Sequence, residues 1–597
     1  GPAKPPANPN MQSLFMWSKG DVEEGLAQSD RVFEHTFFAE RTHQGYIEPR
    51  ACALHIEPDG TVRIWSSCKV PYRLRDLIAE LFDLPEDTVV VEPSTIGGDF
   101  GAKGEVGPEP VAYALARATG RPIKVIRSYT EELEAGNPRH PAVMRLRTGV
   151  MNDGTLVARD VQITMNGGAY AALKYNPDLI LPSVNRCFGP YRIPSAQVEC
   201  RWAYTNNVPG GIARAPGQPQ VVFAGESQID LIAQELGIDP LEFRLRNAVQ
   251  DGEELPTGNK PKGFMAQPTL QLARQASGWD EPLPPWRGRG AAISERNVGA
   301  GQSGLTVTLH DDGQVTALSA VPDIGCGTFT VLQQVLSERL HLPLDMVSVV
   351  AGSTAEALKD TGTGGSKTTY SVIVAASQAA GEINPRLQDI AAQRLECAID
   401  DLEAVETAYR VKGAPQSAIP TVELVMEAAR QEGGDCETES PGPGHGERAP
   451  QMCCVACVAE VEVDPETGHV KPVKITMATD AGQAINPRLL QGQVEGAMLQ
   501  GLGIALMEEL PSPDGRVAAL HLGDYKLPVI GDLPELISVF VEDAPGPEPY
   551  GAKAVGELGV VPVAAAVANA VAAAAKVRVT SLPVTAEKVL QGLGDRV

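Results

Sequence analysis

The chain has 597 residues, 75 acidic against 50 basic side chains, a net charge of −25, and 43% hydrophobic content. That length exceeds what a single core can organise and implies two to four domains. The acidic balance provides no basic stripe to neutralise nucleic-acid phosphates or to hold an anionic membrane surface.

In chain order, "GPAKPPANPNMQ" is proline-rich and polar, and residues 1–20 read as a linker-like extension. It lacks the basic-then-apolar form of a signal peptide, and apolar stretches elsewhere are alanine-rich and interrupted, so a cytoplasmic protein without membrane spans is expected. Four stretches have the form strand, tight turn, strand: 53–65, 149–163, 306–318 and 458–475. Three turn on Asp-Gly and the fourth on Glu-Thr-Gly, residues that accept positive φ. Apolar residues at three- and four-residue spacing predict helices over 72–84, 220–237, 329–342, 368–395 and 486–510. The near charge-free run "VVPVAAAVANAVAAAA" (560–575) predicts a buried helix with Pro562 in its first turn.

An α+β architecture follows, built as two large mixed α/β halves, 21–275 and 291–597. Proline, tryptophan and glycine mark a linker at 276–290. The stretch 435–450 reads as a mobile surface loop. Ten cysteines are too few for a disulfide framework in so long a chain. The cluster "CCVAC" (453–457) lies in an alternating, strand-like segment and reads as packed residues, not as a metal or redox pair.

The turns carry more information than the helices. "STIGGDFGAKGE" (94–105), "GGIARAPGQPQ" (210–220), "VPDIGCGTFT" (321–330), "KDTGTGGSKTT" (359–369) and "TDAGQAINP" (479–487) all punctuate the approach to helices. Glycine permits close backbone approach, and successive N–H groups at helix starts bind anions. Any one such loop is ordinary. Five together imply a large polyanionic, multi-ring ligand gripped by main-chain atoms, and any metal must bring its own ligands. Glu557, in "YGAKAVGELG" (550–559), is either a helix cap or a base in a dry cleft.

The ordered set "GGDFGAK", "ARAPGQPQ", "GTGGSKTT", "DAGQAINP", "GQVEGAMLQGLG" and "GAKAVGE" resembles the molybdenum-binding subunit of the xanthine dehydrogenase/aldehyde oxidase family of molybdenum hydroxylases. The resemblance implies two molybdopterin-binding domains with the cofactor cleft between them. It implies that Glu557 is the general base toward a molybdenum-bound hydroxide whose oxygen enters an electron-poor carbon of an aldehyde or N-heteroaromatic substrate. A base works best with its pKa near the operating pH, so burial is expected to raise that of Glu557. Gly98, Phe100 and Gly101 match the loop over the oxo ligand, and Arg214 the arginine beside it. Gly364, Gly365 and Ser366 match a loop holding the pterin dinucleotide, Gln493 the glutamine on the pterin, and Cys326 the position of a frequent glutamine. No side chain is expected to ligate molybdenum, which the pterin dithiolene holds.

The departures narrow this reading. Ala215 stands where carbon monoxide dehydrogenases place a copper-binding cysteine, which argues against CO oxidation. Pro182 stands near the purine-orienting arginine of true xanthine dehydrogenases, with Arg186 four residues on. Gln44 replaces a frequent histidine in "THQGYIEP" (42–49), and Glu48 is either functional or a buried hydrogen-bonding acid. The family also implies a cytosine dinucleotide on the pterin and 2Fe-2S and FAD on partner subunits. It further implies a hammerhead domain, cut away or separate, and a dimer of heteromers. The alternatives are a reductive dehydroxylase of an aromatic thioester and a degenerate cofactor-binding paralogue.

Overall fold

The computed structural model describes residues 8–104, 107–170, 181–444 and 452–594. All four anticipated hairpins form with antiparallel register, among them Ala51–Ile56 with Val62–Ser66 and Met452–Val463 with Val470–Thr479. The five periodic stretches form the helices Pro71–Phe82, Gln218–Glu235, Thr328–Arg339, Thr368–Leu395 and Pro487–Leu506. Mixed α/β layers result, as the alternation of hairpins and helices requires.

A six-stranded sheet runs in the order Met11–Lys19, Ser195–Tyr204, Leu156–Gly168, Ala142–Val150, Arg31–Ala39, Ser581–Leu582. Its last strand comes from the far end of the chain and pairs in parallel with Arg31–Ala39. A four-stranded sheet runs Arg287–Asn297, Met452–Val463, Val470–Thr479, Glu535–Phe540. The apolar run becomes helix Val563–Ala575 with Pro562 at its N-cap. The segment Leu558–Ala575 is long and apolar enough to cross a bilayer, but 89% of it is buried inside the fold. It packs across Arg287–Asn297 because a Cβ on Gly290 would lie 2.1 Å from Ala570 N; glycine there lets the helix backbone seat directly on the strand.

Alternation then fixes which side chains share that face. Gly288, Gly290 and Arg296 lie on the helix side of the strand, whereas Glu295 points the other way and pairs with Arg186, 3.0 Å apart and buried. Cys453, Cys454 and Cys457 are buried in their strand, and every cysteine is free. Among the described residues no group of three or more His, Cys, Asp or Glu is placed to hold a metal.

The stretch 435–450 is not simply a loop. Cys436–Ser440 is a strand antiparallel to Leu305–Leu309, with Cys436, Thr438 and Ser440 turned inward. Its short polar alternation is masked by the Pro-Gly run that follows. Residues 445–451 lie outside the described residues.

Burial of carboxyls has a consequence for stability. Glu508 and Glu295 are each pushed up to about 7, foremost by burial, against the partial opposition of Tyr525 and Arg186 respectively. Between about pH 4.5 and 7 the native state therefore binds more protons than the unfolded chain, and stability falls as pH rises. Glu508→Gln is expected to flatten this decline in the unfolding midpoint measured across that range. An unchanged slope would show that Glu508 is not the group responsible.

Candidate functional site

Six turns converge on one cavity of about 770 Å³: 97–101, 212–216, 324–326, 363–366, 481–486 and 552–557. Each precedes or follows a helix whose burial fixes where the turn sits. The structure brings all ten sequence candidates to this wall: Gly98, Phe100, Gly101, Arg214, Cys326, Gly364, Gly365, Ser366, Gln493 and Glu557. Phe100, Ala215 and Ser366 hold positive φ of 49°, 56° and 58°, a conformation non-glycine residues adopt only where surroundings impose it.

The glycine loop is anchored from below. Asp99 accepts from Gly101 N at 2.7 Å and Lys103 N at 2.6 Å, and pairs with Lys69 Nζ at 2.6 Å. Glu48 is an anchor too, accepting from Gly97 N at 2.9 Å and pairing with Lys103. Gln44 donates to Asn137 O and Ile212 O, at 2.7 and 2.8 Å, so it holds the neighbouring loop together and is not itself part of the wall. Gly101 has φ 105°, and a Cβ there would meet Ile212 O at 2.7 Å. Gly101→Ala is therefore expected to displace this loop and empty most chains of cofactor; metal analysis of the purified variant checks it, and full loading would contradict it.

Arg214 ties three of the turns. Its backbone N–H donates to Phe100 O at 2.7 Å, and its guanidinium donates to Gly556 O at 2.7 Å and Gln500 Oε1 at 3.1 Å, reaching Gln493 Oε1 at 3.4 Å. Burial pushes its pKa down to about 10, opposed chiefly by Glu557, so it stays charged at neutral pH. Cys326 is half-buried at the wall with Sγ 3.4 Å from Thr328 Oγ1, and burial raises its thiol pKa.

Glu557 does not cap the helix that follows. It stands at the N-cap of the turn Leu558–Val560 with no side-chain capping bond. Its Oε2 accepts from Arg296 Nη2 at 2.7 Å and Ser366 Oγ at 3.0 Å, and its Oε1 from Ala215 N at 3.1 Å. The expected rise in its pKa is reversed. Burial is the largest single influence and pushes upward, but Arg296, Ser366, the Ala215 amide and Lys69 together hold the carboxyl below its usual range.

Arg296 and Lys69 line the cavity without being among the sequence candidates. For Arg296 a signal exists: in "RGRGAAISERN" it shares a face with the two glycines on which the helix rests. Arg186 does not line the cavity, and Pro182 begins the short helix Pro182–Phe188.

The wall suits a large anionic cofactor. The helix beginning after Lys367 starts here with no side-chain cap and with Thr368 and Thr369 on the wall, which leaves its first turn facing a ligand. Thr368 Oγ1 is buried at the same wall without a hydrogen-bond partner among the described residues. With no cluster of metal-ligating side chains among the described residues, a metal here would arrive already ligated.

Comparison with known proteins agrees. Residues 4–248 and 272–534 match two models described as molybdopterin cofactor-binding domains. The chain is 32% identical over 601 residues to a probable xanthine dehydrogenase subunit of Bacillus subtilis (strain 168), covering 98% of this chain and 80% of that one. It is 30% identical to the 6-hydroxypseudooxynicotine dehydrogenase complex subunit gamma of Paenarthrobacter nicotinovorans, covering 98% and 78%. The fold matches quinoline 2-oxidoreductase from Pseudomonas putida 86 with a TM-score of 0.88 at 23% identity, covering 98% and 79%.

Proposed function

Because the chain belongs to the xanthine dehydrogenase/aldehyde oxidoreductase family of molybdenum-binding subunits, we propose that it inserts water-derived oxygen at an electron-poor carbon of an aldehyde or N-heteroaromatic substrate, with Glu557 as general base. The observation that carries this reading is an ionised carboxylate, Glu557, at the wall of the cavity that all nine expected cofactor-binding residues line.

When bound, the molybdopterin cofactor supplies a two-electron acceptor and activates water. The protein's part is to hold it and to move a proton. Gly98, Phe100 and Gly101 on one side, Gly364, Gly365 and Ser366 on another, and Arg214 with Gln493 between them would grip it. Cys326 borders the same space. Glu557, held ionised by its neighbours, takes the proton released as the new carbon–oxygen bond forms.

Electrons leaving the site need acceptors, and relatives are named as subunits of complexes, which supports iron–sulfur and flavin partners. A cytosine dinucleotide on the pterin and a cytoplasmic setting belong to the same reading. The test is turnover of candidate aldehydes and N-heteroaromatics in heavy-oxygen water by the purified complex. The reading expects the label in the product; unlabelled product, or loss of a hydroxyl from an aromatic thioester instead, would contradict it.

A further inference from the structure

We infer that Arg296 is a positioning residue for Glu557, and that by occupying Oε2 together with Ser366 it leaves Oε1 as the oxygen that takes the proton. This rests on the reading of Glu557 as base. A carboxylate oxygen offers two lone-pair sites. On Oε2 both are taken, by Arg296 Nη2 at 2.7 Å and Ser366 Oγ at 3.0 Å. On Oε1 one is taken, by Ala215 N at 3.1 Å, and one remains.

Arg296 is itself fixed. Strand alternation puts it on the helix-bearing face, and Gln218 Oε1 accepts from its Nη1 at 3.0 Å. Gln218 in turn donates to Ser294 Oγ and Glu295 O, at 2.9 and 2.7 Å, so the clamp is braced by the first turn of the helix Gln218–Glu235. The other charges around Glu557 are Lys69, already paired with Asp99, and the buried Arg214 and Arg139. Arg296 leads these cations in its pull on the carboxylate and donates to it directly. The clamp also governs proton release: a proton on Oε1 leaves the adjacent guanidinium without a counter-charge, so the proton is passed on into the cavity and Glu557 returns to the ionised form.

The test reads the carboxyl directly. Infrared difference titration of the wild type against Glu557→Gln, in cofactor-free and loaded protein, gives the ionisation midpoint of Glu557. Arg296→Gln is expected to raise that midpoint by about one pH unit or more, and the acid limb of kcat/KM should move with it. Arg296→Lys should recover part of the shift. Gln218→Ala, which loosens the brace but keeps the charge, should move the midpoint in the same direction by less, and it stands in if Arg296→Gln does not fold. Coincident titrations, or activity lost equally at every pH, would overturn the role of Arg296 while an inactive Glu557→Gln left the base intact. Near-normal turnover in Glu557→Gln would instead remove the base itself.

Discussion

Glu557→Gln is expected to retain the cofactor and lose about three decades of turnover, the scale of a missing catalytic base. The amide is nearly isosteric, and with its oxygen in the place of Oε2 it still accepts from Arg296 and Ser366, so that only the Ala215 N–H loses its acceptor. Cavity shape and cofactor retention should therefore survive. What disappears is the charge. A Gln oxygen cannot take a proton at neutral pH, so the loss falls on kcat and kcat/KM alike, as for a group acting in the transition state. Single-turnover measurements on fully loaded protein check this. A variant within about tenfold of the wild type would mean that proton removal is done elsewhere.

The second large effect lies a short way earlier in the same turn. Lys553 Nζ donates to both oxygens of Asp480, each at 2.7 Å, and to Gly263 O at 2.6 Å, with the two side chains 1% and 0% exposed. This pair holds the turn that carries Glu557 against the turn that opens the helix Pro487–Leu506. Lys553→Met removes the only cation bonded to Asp480 among the described residues and is expected to cost about 3–5 kcal/mol. Burial, which already raises the Asp480 pKa against the pull of Lys553, would then be opposed by the Gly482 and Met265 amides without the cation. The expected readout is a lower unfolding midpoint and a reduced cofactor-loaded fraction. Adding Asp480→Asn should recover part of the loss, because no unpaired buried charge then remains. A single variant as stable as the wild type would contradict this.

How much of this is legible in the sequence follows from the range of the interactions. Hairpins and helices are legible because they rest on local rules: Asp-Gly turns at 59–60 and 153–154, and apolar spacing along 220–237. The strand Cys436–Ser440 is not, because its five polar and sulfur-bearing residues are a strand only by virtue of Leu305–Leu309 beside them. The site divides in the same way. Its loops carry their glycines and can be found from composition and order, and Glu557 stands out by its apolar surroundings. Arg296 lies 261 residues away from Glu557, and no local pattern announces an ion pair across that distance. The reversed direction of the Glu557 pKa has the same origin. Burial is visible in the sequence, whereas the two cations, Arg296 and Lys69, and the two hydrogen-bond donors, Ser366 and Ala215, that overcome it come from four separate segments.

The central claim is that this cavity holds a molybdenum cofactor beside Glu557. Molybdenum per chain, measured by plasma mass spectrometry on the natively purified complex, tests it most directly. The expected result is close to one molybdenum per chain in the wild type and the same in Glu557→Gln. A complex that retained iron and flavin but carried no molybdenum would contradict the claim, and would recast the six converging turns as the relic of a cofactor site.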